Sequence, residues 1–376
     1  MMDQAPIPYV DLTAQFAAER DVLMPLIEEV LASGAHVGGS PIAELEANLA
    51  TRCKTKHAVA LNSGTDALVF GLIALGIGSG DEVITPPNSF VASTAAIMRV
   101  GATPVFADVL ADQNIDPDRI KSAITARTKA IMPVHLTGRI ADMDTIMEIA
   151  RTGGLKVIED AAQSIGARHD DRVAGSIGDV GAFSAHPLKN LNAAGDAGFL
   201  VTDNDDVAEQ TRLLRNHGLV DRNTVTHFGH VSRLDTVQAV ILRHRLETLD
   251  QVIERRRANA ARYRELLDPN FVFIPPCRRV EFNTFHTFVV QVDHRDALQS
   301  YLTHKGIGTA IHYPVPIHLQ PAAASLGHRL GSFLVTERQA GRILTLPIHQ
   351  HLKDAQIDRI ASEMNHFLIA RRAAAE

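Results

Sequence analysis

The sequence predicts an α/β protein with a mostly parallel, doubly wound sheet in a large domain and a smaller α+β domain at the C-terminus. Two observations lead to this prediction. Between residues 57 and 202, short apolar runs alternate with stretches whose apolar residues recur every three or four positions. Beyond Pro275 and Pro276 the pattern restarts as a shorter series. We place the large domain over residues 1–250 and the small domain over residues 251–376.

The elements of the large domain follow from these patterns in chain order. Buried parallel strands are short and apolar, and we expect them near His57–Leu61, Glu82–Thr85, Pro104–Ala107, Ala130–Val134, Lys156–Glu159, Gly181–Ser184 and Gly198–Thr202. Amphipathic spacing predicts helices near Asp66–Leu75, Val91–Arg99, Pro117–Ile124 and Asp144–Arg151. An earlier helix is expected to open at Pro41 with Ser40 as its cap.

A long helix should then run from Asp235 to about Tyr263 and lead into the smaller unit. The smaller unit is expected to contain strand Thr287–Val292, helix Ala297–Lys305, strand Gly308–His312 and a closing helix from Asp354.

Composition excludes several classes of protein. Of 376 residues, 45% are hydrophobic and 21% charged, as in ordinary globular proteins. The 37 basic and 43 acidic residues give a formal net charge of −6, which argues against a nucleic-acid-binding protein and favours a small-molecule partner. With only Cys53 and Cys277, no disulfide scaffold can form within one chain, and we expect a cytoplasmic protein. The N-terminus lacks a secretory signal, and the apolar stretch Ala67–Gly78 is too short to span a membrane.

Open α/β sheets bind ligands at the carboxyl ends of their strands, so the residues after each predicted strand are candidates for a site. The first predicted strand is followed by Asn62, Ser63, Gly64, Thr65 and Asp66, and then by a helix. Two hydroxyls, a small residue and the free N–H groups of a helix terminus suit a phosphate. Plain helix capping by Ser63 or Thr65 explains the same residues.

A second strand end carries an acidic residue. Asp160 follows the predicted strand Lys156–Glu159 and precedes Ala161, Ala162 and Gln163. A carboxylate in this place can hold a cationic ring nitrogen by a charge-assisted hydrogen bond. It also suits a helix cap or a metal ligand.

A third strand end carries a lysine. Lys189 lies between the predicted strands Gly181–Ser184 and Gly198–Thr202, among small and apolar residues. A lysine in a loop is usually a solvated surface charge. Here the flanking strands are central to the predicted sheet, and desolvation between them would favour the neutral amine that forms a Schiff base.

A phosphate cradle, a strand-end aspartate and a later lysine are the parts that pyridoxal phosphate requires. The chain carries, in this order, Asn62–Leu68, Asp108, Pro133–Leu136, Glu159–Ser164, His186–Asn190, Gly195–Gly198, Arg215–Gly218, Ser232–Asp235, Tyr313–Pro314 and Pro316–His318. With these segments the chain resembles the DegT/DnrJ/StrS family of sugar aminotransferases, over nearly its whole length. The resemblance implies the pyridoxal-phosphate-dependent transferase fold of type I, as in aspartate aminotransferase.

The resemblance also implies a role for each site residue. The catalytic residues would be Lys189, which forms the Schiff base with the cofactor, and Asp160, which keeps the ring nitrogen protonated. Gln163 would bond the phenolic oxygen of the ring. The other cofactor-binding residues would be Ser63, Gly64, Thr65 and Ser184 around the phosphate, Phe90 on the ring face, and Arg233 in the segment before the long helix. A core phenylalanine that opens a helix explains Phe90 equally well.

The chain departs from the family pattern at one position. Members usually carry Gly-x-Asn-x-Arg before the long helix, and that asparagine reaches the phosphate of the neighbouring subunit. Here the stretch is Gly229-His230-Val231-Ser232-Arg233, and valine cannot make that hydrogen bond. We expect a homodimer with shared active sites, in which His230 or Arg233 substitutes for the asparagine or the contact is weaker.

Histidines are frequent, and some are candidates for the substrate pocket. We assign His186, His312, Tyr313 and His318 to substrate contacts, although a loop whose side chains face water explains them as well. No metal is expected, because His349 and His351 have no nearby cysteine or carboxylate to complete a ligand set.

The resulting hypothesis is an aminotransferase that moves an amino group from L-glutamate or glutamine to a keto-sugar, expected to be nucleotide-linked, in amino-sugar biosynthesis. Two alternatives stay open. One is a sugar dehydratase with the same cofactor, but in that branch of the family a histidine replaces the lysine, so Lys189 argues against it. The other is a non-catalytic binding or regulatory protein that has kept the fold.

Overall fold

The computed structural model describes residues 5–373. Its helices are α1 (Leu12–Ser33), α2 (Ser40–Cys53), α3 (Gly64–Ala74), α4 (Val91–Arg99), α5 (Pro117–Ala123), α6 (Met143–Gly153), α7 (Asp205–Leu214), α8 (Thr236–Leu266), α9 (Arg295–His304), α10 (Leu334–Ala340) and α11 (Asp354–Ala373). Its strands are β1 (His57–Leu61), β2 (Glu82–Thr85), β3 (Thr103–Phe106), β4 (Thr128–Ile131), β5 (Lys156–Asp160), β6 (Arg168–His169), β7 (Arg172–Val173), β8 (Val180–Ser184), β9 (Gly198–Thr202), β10 (Val272–Phe273), β11 (Glu281–Phe282), β12 (Phe288–Val292) and β13 (Ile343–Leu346).

The largest sheet within residues 5–373 has seven strands in the order β1-β9-β8-β5-β4-β2-β3. Strand β9 runs antiparallel to both of its neighbours, and the remaining pairs are parallel. Helices cover both faces, as a parallel sheet with apolar residues on each side requires. The predicted α/β class with a mostly parallel sheet is confirmed.

Successive strand residues point to opposite faces and join different cores. Val59 and Leu61 of β1 pack with α3 and α4 on one face, whereas Ala58 and Ala60 pack with α2 and α8 on the other. Because side chains are buried on both faces, the sheet is held rigidly. Its strand ends therefore place loop residues in fixed positions.

The C-terminal part builds a second, antiparallel sheet in the order β10-β12-β13, covered by α9 and α11. Helix α8 joins this core to the first one, since Ile253 packs with the large sheet and Tyr263 with the small one. The predicted division at residue 250 falls inside α8, and we keep the two domains as a proposal.

Three details of the predicted elements need correction. The segment Gly308–His312 is not a strand; Ala310 forms an isolated bridge with Thr345, and Gly308 donates its N–H to the oxygen of Ile7 at 2.8 Å. Strand β12 pairs with β10 on one side and with β13 on the other, and neither of these partners was predicted. Helix α2 begins at Ser40 with Gly39 as its cap, and the Ser40 side chain makes no capping hydrogen bond.

Helices α1, α7 and α10 were not predicted from the sequence. Side chains of α1 such as Leu12 and Phe16 are exposed on this single chain, so an amphipathic pattern toward its own core is weak. None of the helices described here is both long and apolar enough to cross a bilayer.

Candidate active site

A cavity of about 300 Å³ lies where several strands of the large sheet end. Its lining includes most of the residues predicted for the site: Ser63, Gly64, Thr65, Phe90, Asp160, Gln163, Ser184, His186, Lys189, His312 and Tyr313. These residues come from chain positions more than 240 residues apart, and the fold brings them into one pocket. His318 and Arg233 are not part of this lining.

The segment after β1 enters α3 tightly against β8. Ser63 caps α3, because its hydroxyl accepts the N–H of Asp66 at 3.1 Å. A Cβ atom added to Gly64 would stand 2.7 Å from the Cβ of Ser184, closer than such atoms approach. Glycine thus allows the α3 terminus to meet the Ser184 strand end. This arrangement brings the helix N–H groups, Thr65 and Ser184 to the same cavity, which suits an anion.

Asp160 ends β5 and is 5% exposed. Its Oδ2 accepts a hydrogen bond from the Ser93 hydroxyl at 2.6 Å, and its Oδ1 accepts one from the N–H of Ala162 at 3.2 Å. Burial raises the pKa of this carboxyl, while the two hydrogen bonds and the charge of Lys189 act in the opposite direction. Each oxygen keeps a lone pair for a further donor. Ser93 was not predicted as a site residue.

Lys189 lies in the loop between β8 and β9 and lines the same cavity. Desolvation lowers its pKa to about 8, although the charge of Asp160 partly opposes this shift. An amine with this pKa is about one-tenth neutral at pH 7, far more than an ordinary lysine. The cavity therefore combines an amine that can act as a nucleophile with a carboxylate inside its electrostatic reach.

Gln163 and two aromatic side chains form another part of the lining. Gln163 accepts the N–H of Thr137 at 2.7 Å and donates to the hydroxyl of Tyr313 at 3.4 Å. The rings of Phe90 and Tyr313 lie 5.8 Å apart. Phe90 is 55% exposed, so it is not the core phenylalanine that its sequence position also allowed. An exposed ring at the cavity can stack on a flat ligand.

Two of the predicted histidines reach the cavity. The Nδ1 of His312 lies 3.0 Å from the Thr345 hydroxyl, and burial lowers the pKa of His312 to about 4. His186 is exposed, and its Nδ1 accepts the N–H of Leu188 at 3.3 Å. At neutral pH His312 is uncharged, so its ring can accept or donate a hydrogen bond but cannot pair with an anion.

The assignment of His318 to the pocket needs correction. His318 is 2% exposed, its Nε2 lies 2.9 Å from Glu337, and its ring packs against Phe333 at 4.7 Å. These contacts place the ring in a separate cluster, where its Nε2 is paired and its Nδ1 is buried without a hydrogen-bond partner. Arg233 donates to the side chain of Asn216 at 3.3 Å and is exposed on this single chain. Its predicted role depends on a neighbouring subunit.

Other lining residues had no signal as a site in the sequence. Tyr9 precedes α1, Arg256 lies in α8, His286 precedes β12, and His349 follows β13. None belongs to a motif beside a predicted strand end of the large sheet. Only the tertiary fold brings them together. The Nε2 of His349 lies 3.3 Å from the backbone oxygen of Pro8, a contact that its place beside His351 in the sequence does not indicate.

No group of three or more His, Cys, Asp or Glu side chains between residues 5 and 373 is arranged to hold a metal ion. His349 and His351 lie with their ring centroids 6.3 Å apart.

The chain is similar to known proteins over almost its whole length. The chain matches the DegT/DnrJ/EryC1/StrS aminotransferase family over residues 18–365. A dTDP-3-amino-3,4,6-trideoxy-alpha-D-glucose transaminase of Streptomyces venezuelae is 42% identical over 356 residues, which cover 94% of this chain and 94% of that protein. A UDP-N-acetyl-3-dehydro-alpha-D-glucosamine 3-aminotransferase of Acidithiobacillus ferrooxidans is 42% identical over 377 residues, covering 98% of this chain and 100% of that protein.

The fold is shared as well. The crystal structure of S. venezuelae DesV in complex with a ketimine intermediate matches with a TM-score of 0.95 at 41% identity, covering 97% of this chain and 99% of that one. The family match, the identity and the fold agree over almost the entire chain. They confirm the resemblance seen in the sequence: this protein belongs to the DegT/DnrJ/EryC1/StrS aminotransferase family.

Proposed function

We propose that this protein uses pyridoxal phosphate to move an amino group from L-glutamate or L-glutamine to a nucleotide-linked keto-sugar. The observation that carries the proposal is the presence of Lys189 and Asp160 in one cavity, each affecting the pKa of the other. An amine, a buried carboxylate and a helix N-terminus in one pocket are the groups that this cofactor needs.

The lining residues fit the cofactor in chemical type. The α3 terminus with Thr65 and Ser184 would hold the phosphate, and Asp160 would hold the protonated ring nitrogen. Gln163 would donate to the phenolic oxygen, and Phe90 would cover one face of the ring. When bound, the cofactor supplies an electron sink that stabilises a carbanion at the donor carbon.

The protein's own contribution to the reaction is positioning and proton transfer. Lys189 would anchor the cofactor, give way to the donor amine, and then act as base at the donor α-carbon. The pKa of about 8 suits this task, because a base works best when its pKa lies near the working pH. The Ser93 hydroxyl and the Ala162 N–H would keep the Asp160 carboxylate fixed toward the ring.

The keto-sugar is supported by the relatives. The S. venezuelae relative is named for a dTDP-linked sugar and the A. ferrooxidans relative for a UDP-linked one. Lys189 stands where the dehydratase branch carries histidine, which favours transamination over dehydration. A non-catalytic regulatory protein would not need Lys189 and Asp160 in one cavity, so their presence favours an enzyme.

We also propose a homodimer with shared sites. The segment before α8 exposes Phe228 by 97% and Val231 by 56%, which is unusual for apolar side chains without a partner. This segment carries Arg233, which would reach the neighbouring cofactor. A mixture of inactive Lys189→Ala and inactive Arg233→Ala subunits should regain activity in mixed dimers. No recovery despite verified subunit exchange would contradict the shared site.

A cytoplasmic location is part of the same proposal. Cys53 and Cys277 are both free thiols, which agrees with a reducing compartment.

The experiment that tests the function is a panel of dTDP-linked, UDP-linked, phosphorylated and free keto-sugars. Each is mixed with the protein in its pyridoxamine phosphate form, and the aminated product is detected by mass spectrometry. We expect product from at least one nucleotide-linked sugar. If only free or phosphorylated sugars react, the nucleotide-linked substrate is wrong.

A further inference from the structure

Within residues 5–373, the buried cation Arg256 has no carboxylate partner. Arg256 lies in α8, lines the cavity and is 6% exposed. Its Nη1 donates to the backbone oxygens of Phe285 at 3.3 Å and His286 at 3.0 Å, and its Nη2 reaches the side-chain oxygen of Gln350 at 3.5 Å. Its Nε is buried without a hydrogen-bond partner. The guanidinium is therefore held in place but not neutralised.

Three titratable neighbours of Arg256 in the cavity, His349, His286 and Tyr9, are uncharged at neutral pH. Burial lowers the pKa of His349 to about 4 and that of His286 well below its usual value, and Arg256 adds to both shifts. Tyr9 stays protonated, because burial raises its pKa. The same burial lowers the pKa of Arg256 to about 10, which still leaves it charged at neutral pH. Among these neighbours Arg256 is thus a lone positive charge.

A buried guanidinium without a counter-ion is unfavourable, so a ligand anion would stabilise it. The planar fork of arginine matches a carboxylate in particular. Arg256 is also near the reacting amine: both Lys189 and Arg256 lower the pKa of His286, so His286 lies within electrostatic reach of both.

The chemistry of the donor decides which anion fits. In any α-amino acid the carboxylate is bonded to the carbon that loses the amino group, so it must enter the cavity with that carbon. The diphosphate of a nucleotide-linked sugar is separated from the reacting carbonyl by the sugar ring, and it leads to a nucleotide that needs an open site. A 6% exposed guanidinium suits the smaller, deeper group.

We propose that Arg256 binds the α-carboxylate of the amino donor. This inference rests on the proposed function and names the residue that selects an amino acid as donor. Gln350 and the two backbone oxygens would orient the guanidinium, and the neutral histidines around it would add no positive charge that competes for the donor carboxylate.

The test combines changes in the protein and in the donor. L-Glutamate is compared with isoglutamine, its α-amide, in single turnovers of the wild type, Arg256→Gln and Arg256→Lys, all loaded with pyridoxal phosphate. We expect the amide to lower the efficiency of the wild type by about 10- to 100-fold, as for loss of a hydrogen bond to a charged group. In Arg256→Gln the difference in efficiency between glutamate and its amide should almost vanish. In Arg256→Lys this difference should lie between that of the wild type and that of Arg256→Gln.

A binding measurement supplies a second readout. Calorimetric titration with 2-oxoglutarate should show about 10- to 100-fold weaker binding to Arg256→Gln than to the wild type. Titration with UDP and dTDP should be unchanged. The matched control is Arg255→Gln, which lies next to Arg256 in α8 but pairs with Asp354 outside the cavity. The affinity of Arg255→Gln for 2-oxoglutarate should stay within about twofold of the wild-type affinity.

Several results would overturn the proposal. An equal amide penalty in the wild type and in the variants means that Arg256 does not contact this carboxylate. Loss of UDP or dTDP binding in place of 2-oxoglutarate binding assigns Arg256 to the nucleotide-linked sugar. If Arg256→Gln does not fold, Arg256→Lys decides by the same comparison. If the wild type reacts with no amino donor at all, the proposed function itself is wrong.

Discussion

Two sets of side chains line the cavity, and they differ in how their charges are arranged. The strand-end set contains Lys189 and Asp160, whose opposite charges shift each other's pKa. The second set comes from the N-terminal segment, α8 and the small sheet, and it contains Arg256 without a carboxylate partner among buried neutral histidines. Paired charges thus tune the pKa of reacting groups, whereas an unpaired charge is available to a ligand.

This difference has a kinetic consequence. Changes in the strand-end set should lower kcat or cofactor binding, while changes in the second set should raise KM for a substrate. Substitutions in each set, ordered by the size of the effect that they should have, test this contrast.

Lys189→Ala should reduce turnover to the background rate, because both the anchor and the base are lost. The phosphate cradle at Ser63–Thr65 is unchanged, so the variant should still bind the cofactor without a covalent bond. Steady-state kinetics and absorbance after gel filtration check both points. Near-normal turnover would show that Lys189 is not the catalytic amine.

Asp160→Ala should slow the half-reaction with glutamate by at least about 100-fold, which corresponds to a buried charge-assisted bond of about 3 kcal/mol. Asparagine at the same position should recover only part of the rate. Stopped-flow absorbance measures this step. A wild-type rate in the alanine variant would mean that another group holds the ring nitrogen.

Ser93→Ala should slow the same half-reaction by about 10-fold, because a hydrogen bond to a charged group is removed from Asp160. Ser89→Ala is the matched control, since its hydroxyl donates to the backbone oxygen of Phe90 and not to Asp160. Equal rates for both variants would show that the Ser93 contact does not support the carboxylate. A titration of the cofactor's absorbance against pH separates this effect from a loss of stability.

The rate at which the cofactor-free protein takes up pyridoxal phosphate should rise with pH. Neutral Lys189 is the reactive form, and with a pKa of about 8 its fraction grows about 10-fold from pH 7 to pH 9 and then levels off. An unshifted lysine would give a rate that continues to rise beyond pH 9. Absorbance recorded after rapid mixing distinguishes the two curves.

His312→Asn should raise KM for the keto-sugar about fivefold and leave kcat nearly unchanged, as for loss of one neutral hydrogen bond. His318→Asn is the control, because His318 is buried against Glu337 outside the cavity. That control should lower the temperature of unfolding without changing KM. A kcat effect at His312 as large as that at Asp160 would remove the distinction between the two sets.

The strand-end set could be predicted from the sequence because each of its residues follows a strand whose apolar pattern is local. The strand pattern alone places Asp160 and Lys189 at one edge of the sheet. The second set could not be predicted in this way. Tyr9, Arg256 and His349 meet only through long-range packing of α8 and the small sheet, for which the chain carries no local signal.

Contacts between distant parts of the chain also account for two wrong predictions. The segment Gly308–His312 has a strand-like pattern, but its N–H groups bond to Ile7 and Thr345 as isolated bridges. His318 was predicted to contact the substrate, yet Glu337 and Phe333 hold it in a separate cluster. In both cases the tertiary partner was distant in sequence.

Our main proposal is that this protein transfers the α-amino nitrogen of an amino acid to the cofactor, with Lys189 as the base that moves the proton. Its most direct test is to mix the pyridoxal-phosphate-loaded protein with nitrogen-15-labelled L-glutamate, and separately with labelled L-glutamine, then denature it and analyse the cofactor by mass spectrometry. We expect labelled pyridoxamine phosphate from the wild type with at least one donor, and none from Lys189→Ala. An unlabelled cofactor with both donors in the wild type, or equal labelling in Lys189→Ala, would show that the proposal is wrong.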